Sequence, residues 1–138
     1  MMQLEETVLK YPNAVLVAHS LGCVLVAAWA AYSMNADKVK GALLVAPADV
    51  ERPEMQHMLH SWSPIVRERL PFPSIVAASR NDPYCSLMRV SGLAHAWGSR
   101  LVDCGTSGHI NTDSRLGDWS EGFALLQDLL KEEVPHGH

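Results

Sequence analysis

Apolar residues along the chain fall into two kinds of pattern, and the switch between them marks out the elements. Short unbroken apolar runs occupy residues 14–18 (A-V-L-V-A), 41–46 (G-A-L-L-V-A) and 74–79 (S-I-V-A-A-S), and a shorter one lies at residues 100–103. Runs of this length without polar alternation suit strands buried on both faces of a parallel sheet. Between them the spacing turns helical. Residues 2–10 place Leu4, Val8 and Leu9 on one face, residues 21–31 are apolar nearly all round, and residues 87–97 line up Leu87, Val90, Leu93, Ala94 and Trp97. Residues 121–132 form a closing helix with Phe123, Leu126, Leu129 and Leu130 inward and Ser120 as its N-cap. Tyr11-Pro12-Asn13 and Pro47 are stops, and Asn35-Ala36-Asp37 is a turn. Residues 49–70, with two prolines, two histidines and mixed charge, read as a loop with short helical pieces. Strands alternating with helices predict an α/β three-layer sandwich with a parallel sheet, one domain over residues 1–138.

One junction carries chemistry. The first strand runs directly into the second helix through Ala18-His19-Ser20-Leu21-Gly22, a serine between small residues. At such a strand–helix turn the serine takes a strained backbone, and its hydroxyl projects above the carboxyl ends of the strands. A serine hydroxyl is a weak nucleophile near neutral pH. It needs a base within hydrogen-bond reach and a carboxylate to hold that base in one tautomer. Asp82 follows the third strand and His109 follows the fourth in a glycine-rich loop, so all three emerge on the edge where open α/β sheets place ligands. The backbone N–H of Leu21 is the candidate oxyanion donor, and His19 the candidate pocket-lining residue. Asp82 also suits a turn before Pro83, and His109 suits a loop histidine bonded to backbone carbonyls.

Composition narrows the partners. With 138 residues, 48% hydrophobic and 19% charged, the chain is globular, and a formal net charge of -4 leaves no electrostatic footprint for nucleic acid or an anionic membrane. No apolar stretch approaches the roughly 20 residues of a membrane span. Three cysteines, Cys23, Cys85 and Cys104, lack framework spacing and point to free thiols in a reducing, cytoplasmic setting. Cys23 and Cys104 read as packing residues, and Trp29 as core. His57 and His60 are three apart but lack further ligands at matching spacing, so they read as solvated. Trp119 stands near His109 in sequence and is a candidate brace for its loop.

Taken together, A-H-S-L-G at residues 18–22, S-R-N-D-P at residues 79–83, G-T-S-G-H-I-N at residues 105–111 and G-D-W-S-E-G at residues 117–122 resemble the retinoblastoma-binding protein 9 family of small serine hydrolases. The resemblance extends over residues 13–130. It implies an α/β-hydrolase fold, Ser20 as nucleophile, Asp82 as orienting acid, His109 as base, and neither metal nor organic cofactor. The substrate it implies is a small ester or amide, peptides included. In that family a strand ending in His-Gly, a helix and a further strand precede the segment matching residues 2–13. Their absence here implies a truncated α/β-hydrolase fold without the loop that supplies the second oxyanion donor. It also implies an exposed edge on the strand at residues 14–18, through which homo-oligomers are expected. The competing expectation is a catalytically silent binding module that holds a protein partner through residues 49–70.

Overall fold

The computed structural model describes residues 2–49, 51, 65–83, 85–105, 125 and 127. Helix α1 (Met2–Lys10) leads into β1 (Val15–His19), α2 (Leu21–Tyr32), a 3-10 turn at Ala36–Lys38 and β2 (Gly41–Val45). After the long connection come β3 (Ser74–Ala78), α3 (Leu87–Trp97) and β4 (Arg100–Asp103). The four strands are parallel and stand in chain order, β1-β2-β3-β4. Each strand is therefore laid beside the one before it. Right-handed crossovers taken repeatedly in one direction put the connecting helices on a single face of the sheet.

The packing agrees. One cluster combines Val8 of α1, Trp29 of α2 and Val90, Leu93 and Trp97 of α3 with the strand residues Ala42, Leu44, Val76 and Ala78. The alternate residues Leu43, Val45, Ile75 and Ala77 point the other way and pack with Cys104 and Leu125. Both faces of β2 and β3 are thus covered, and every residue of those strands is buried. This is why their sequences are apolar without alternation. Burial of each large side chain at this depth contributes about 1.5–3 kcal/mol. The outer strands β1 and β4 are half-exposed, and Val17 of β1 is 61% exposed. No helix among the described residues is long and apolar enough to cross a membrane.

Two polar devices fix the helices. The Glu5 carboxylate of α1 accepts from Trp29 Nε1 (3.3 Å), Ser33 Oγ (2.7 Å) and Asn35 Nδ2 (2.8 Å), tying α1 to the end of α2. These donors, Asn35 first, lower the Glu5 pKa below the ordinary carboxylate range. At α3, Ser86 accepts from the Arg89 amide and caps the helix.

Several expectations shift in detail. The first strand runs one residue later than the apolar run, β2 and β3 end one residue earlier, and Leu9 lies on the exposed side of α1 rather than with Leu4 and Val8. Leu125, outside the expected inward stripe of the closing helix, is buried and helical. The four expected inward residues, Phe123, Leu126, Leu129 and Leu130, lie outside the described residues, as do His57, His60 and Trp119.

Candidate active site

The β1–α2 junction is built by backbone geometry. Ser20 has φ 58 and ψ -118, a sparsely populated conformation for a residue with a Cβ. Such a residue costs on the order of 1–3 kcal/mol, and it persists because the neighbours hold it. They do so here by direct bonds. The Ser20 amide donates to Val45 O of β2 (3.0 Å), and the Ser20 carbonyl accepts from the Cys23 amide (3.1 Å) at the start of α2. The strand and helix also approach closely: a Cβ on Gly22 would stand 3.4 Å from the Cβ of Ala18, so anything larger than alanine at either position crowds the other. Cys23 fills the space beneath. Its fully buried Sγ donates to Val45 O (3.4 Å) and Ala18 O (3.6 Å), and burial pushes the thiol pKa far up. That is the reverse of what a reactive thiolate needs. All three cysteines are free and buried.

Leu21 is the first residue of α2, where the helix offers its amide no intrahelical acceptor. The N-terminal end of α2, with its partial positive charge, thus abuts Ser20. His19 ends β1 opposite Val45 and is exposed. A second strained residue, which apolar patterning does not reveal, lies beside the junction. Ala46, buried at the end of β2, has φ 49, and its amide donates to Ala77 O of β3 (2.8 Å). The sequence does not signal it, since a residue before proline ordinarily takes an extended φ.

Asp82 stands four residues beyond the end of β3 and is half-buried. Its loop is shaped by Ser79, whose buried hydroxyl donates to Asn81 Oδ1 (2.7 Å). The exit from β4 is bound to the exit from β3. Cys104 N–H donates to Ala78 O (2.7 Å), Arg80 N–H donates to Gly105 O (2.7 Å), and Arg80 Nε donates to Asp103 Oδ2 (2.7 Å). The other oxygen of Asp103 accepts from the Gly105 amide (2.8 Å). Gly105 itself has φ 69, a left-handed turn that glycine adopts without a Cβ penalty. These bonds, Arg80's first, lower the Asp103 pKa. Ser20 and Asp82 thus follow strands two places apart on the carboxyl edge, with β2 between them. His109 lies outside the described residues.

Further along that edge, the connection from β2 to β3 is closed at its base by charge. Glu51 accepts from Arg67 Nη2 (2.5 Å) and the Ile65 amide (2.7 Å) and contacts Arg89 Nη2 of α3. Arg89 Nε faces Asp49 Oδ2 at 3.3 Å without hydrogen-bond alignment. The Arg67 bonds lead in holding the Glu51 carboxyl down at about 2. An adjacent cavity of about 430 Å³ is walled by Asp49, Arg67, Arg89 and the Met88–Leu93 side of α3. Among the described residues of its wall, neither Ser20 nor Asp82 appears, and the charges there are already paired.

The profile of the serine hydrolase family matches residues 1–128. The chain belongs to the serine hydrolase family. A protein described as a YdeN-like hydrolase from Pectobacterium atrosepticum superposes with a TM-score of 0.76 at 30% identity, covering 97% of this chain and 68% of that one. The ydeN product of Bacillus subtilis shares the fold at 17% identity and TM-score 0.70, covering 95% of this chain and 74% of that one. So does the Bacillus cereus carboxylesterase, at 24% identity and TM-score 0.53, with 88% of this chain against 56% of its own. No curated protein matches significantly. The parallel four-stranded sheet with its helices matches the α/β-hydrolase architecture of these structures.

Proposed function

We propose that the chain hydrolyses an ester or amide through an acyl-enzyme, with Ser20 as nucleophile, His109 as base and Asp82 as the acid that orients it, in the manner of the retinoblastoma-binding protein 9 branch of the family. The observation that carries this reading is the strained backbone of Ser20 at the strand–helix junction. Glycine would adopt φ 58 more cheaply, so a serine at this turn carries a backbone cost. Retaining a serine there makes sense when its hydroxyl is used.

In this mechanism His109 takes the Ser20 proton as Oγ attacks the carbonyl carbon, and the Leu21 amide stabilises the oxyanion. Collapse expels the alcohol or amine, which receives the proton from His109. Water, activated by the same imidazole, then hydrolyses the acyl-serine. Spacing supports the assignment. Strands two places apart are about 10 Å from each other, room for an imidazole between the serine and the carboxylate. From Gly105, four residues span up to about 14 Å, which reaches that gap.

The test is capture by a fluorophosphonate probe together with turnover of p-nitrophenyl acetate. Ser20→Ala is expected to abolish labelling while leaving the circular dichroism spectrum unchanged. His109→Gln is expected to depress turnover as severely as Ser20→Ala, and Asp82→Asn less so, because members of a triad act as a unit. Labelling of the Ser20→Ala protein at the wild-type level would remove Ser20 from the mechanism.

A further inference from the structure

Two loops must keep their relative position for the proposed triad to work: the one after β3, which bears Asp82, and the one after β4, which leads to His109. In the structure both are joined by one carboxylate. Asp103 spends one oxygen on Arg80 Nε and the other on the Gly105 amide, while the Arg80 amide donates to Gly105 O. Arg80 is two residues before Asp82, and Gly105 four before His109. The bonds form a closed ring across the ends of the two strands.

Its energetics are unusual for a structural contact. The Arg80 and Asp103 side chains are 66% and 35% exposed. Exposed ion pairs contribute little to global stability. A carboxylate shared between Arg80 Nε and the Gly105 amide, with the Arg80 amide also bonded to Gly105 O, instead fixes geometry. Catalysis is far more sensitive to geometry than folding is: a misplacement of about 1 Å can cost on the order of a hundredfold in rate.

We propose that Arg80 and Asp103 are positioning residues for the triad, a latch that sets the loop of Asp82 against the loop of His109. The inference rests on the hydrolase reading above. In this role neither residue needs to contact substrate. Their effect passes through the carboxylate–imidazole pair, so it falls on kcat and on the titration of the base rather than on KM.

The experiment uses the full chain. Asp103→Ala, Arg80→Ala and Arg80→Lys are compared with wild type for p-nitrophenyl acetate kinetics across pH, fluorophosphonate labelling rate and thermal unfolding. Asp103→Ala is expected to lower kcat about 10–100-fold with KM within about twofold of wild type and a nearly unchanged unfolding midpoint. Arg80→Ala is expected to do the same to a lesser degree, and Arg80→Lys to recover part of the loss. The acid limb of the pH–rate profile is expected to move to lower pH in both alanine variants, because an imidazole less well matched to its carboxylate holds its proton less tightly. A purely structural role would lower the active fraction and leave that limb in place. Should Asp103→Ala fail to fold, Arg80→Gln, which spares the Asp103–Gly105 bond, carries the comparison. If wild type is labelled at Ser20 while the variants match it in kcat and pH profile, the latch is wrong and the hydrolase reading stands. If wild type is not labelled at all, both fall together.

Discussion

At Ser20 the chain accepts an unfavourable backbone for the sake of a hydroxyl. Because glycine tolerates φ 58, Ser20→Gly is expected to stabilise the fold by about 1 kcal/mol. That corresponds to a rise of roughly 3–5 °C in unfolding midpoint for a domain of this size. Differential scanning calorimetry checks it, and Ser20→Ala, which keeps a Cβ at the same φ, is expected to show no such gain. Stability and labelling would then move in opposite directions in one substitution. Cys23 makes the contrasting case three residues on. Its buried thiol bonds to Val45 O and its pKa is raised. Iodoacetamide applied to the folded protein is therefore expected to leave hydrolysis intact, and inactivation prevented by a substrate analogue would contradict this.

Between elements, a group of charges closes the β2–β3 connection at its base. The Glu51 carboxyl lies at about 2, down from 4.5, chiefly through Arg67. A carboxylate with a depressed folded-state pKa contributes stability above its unfolded pKa and loses it as pH falls through the folded value. The window here runs from about 4.5 down to about 2. Glu51→Gln is expected to narrow the stability difference between pH 7 and pH 3 by about 1–2 kcal/mol, less than the shift alone implies because water screens the half-exposed Arg67. Urea unfolding at the two pH values measures it. None of this grouping is readable in the sequence. Glu51 meets Arg67 at a separation of 16 and Arg89 at 38, distances at which no local period operates. Arg80 and Asp103, 23 apart, escape for the same reason. The strands themselves are legible because burial on both faces leaves G-A-L-L-V and S-I-V-A-A without polar interruptions. Their ends are less so. Ala46 is as apolar as the strand before it and still bonds to Ala77 O, and its φ of 49 is what ends the extended run. The serine junction is readable because close approach and strain both restrict composition locally, leaving small residues at Ala18 and Gly22.

For the whole molecule, the outer position of β1 matters most. Among the described strands it pairs with β2 alone, and Val15-Leu16-Val17-Ala18 carries no lysine, proline or other guard against pairing with a further strand. The 138-residue chain is expected to self-associate at micromolar concentration. Sedimentation velocity tests this, with Val17→Lys expected to shift the population to monomer and a stable wild-type monomer contradicting it. Strand order has another consequence, during synthesis. Because each of the four described strands lies next to its immediate predecessor, each is expected to find its preceding neighbour already made as it leaves the ribosome. The strained turn at Ser20 depends on β2 being in place, because Val45 accepts its amide.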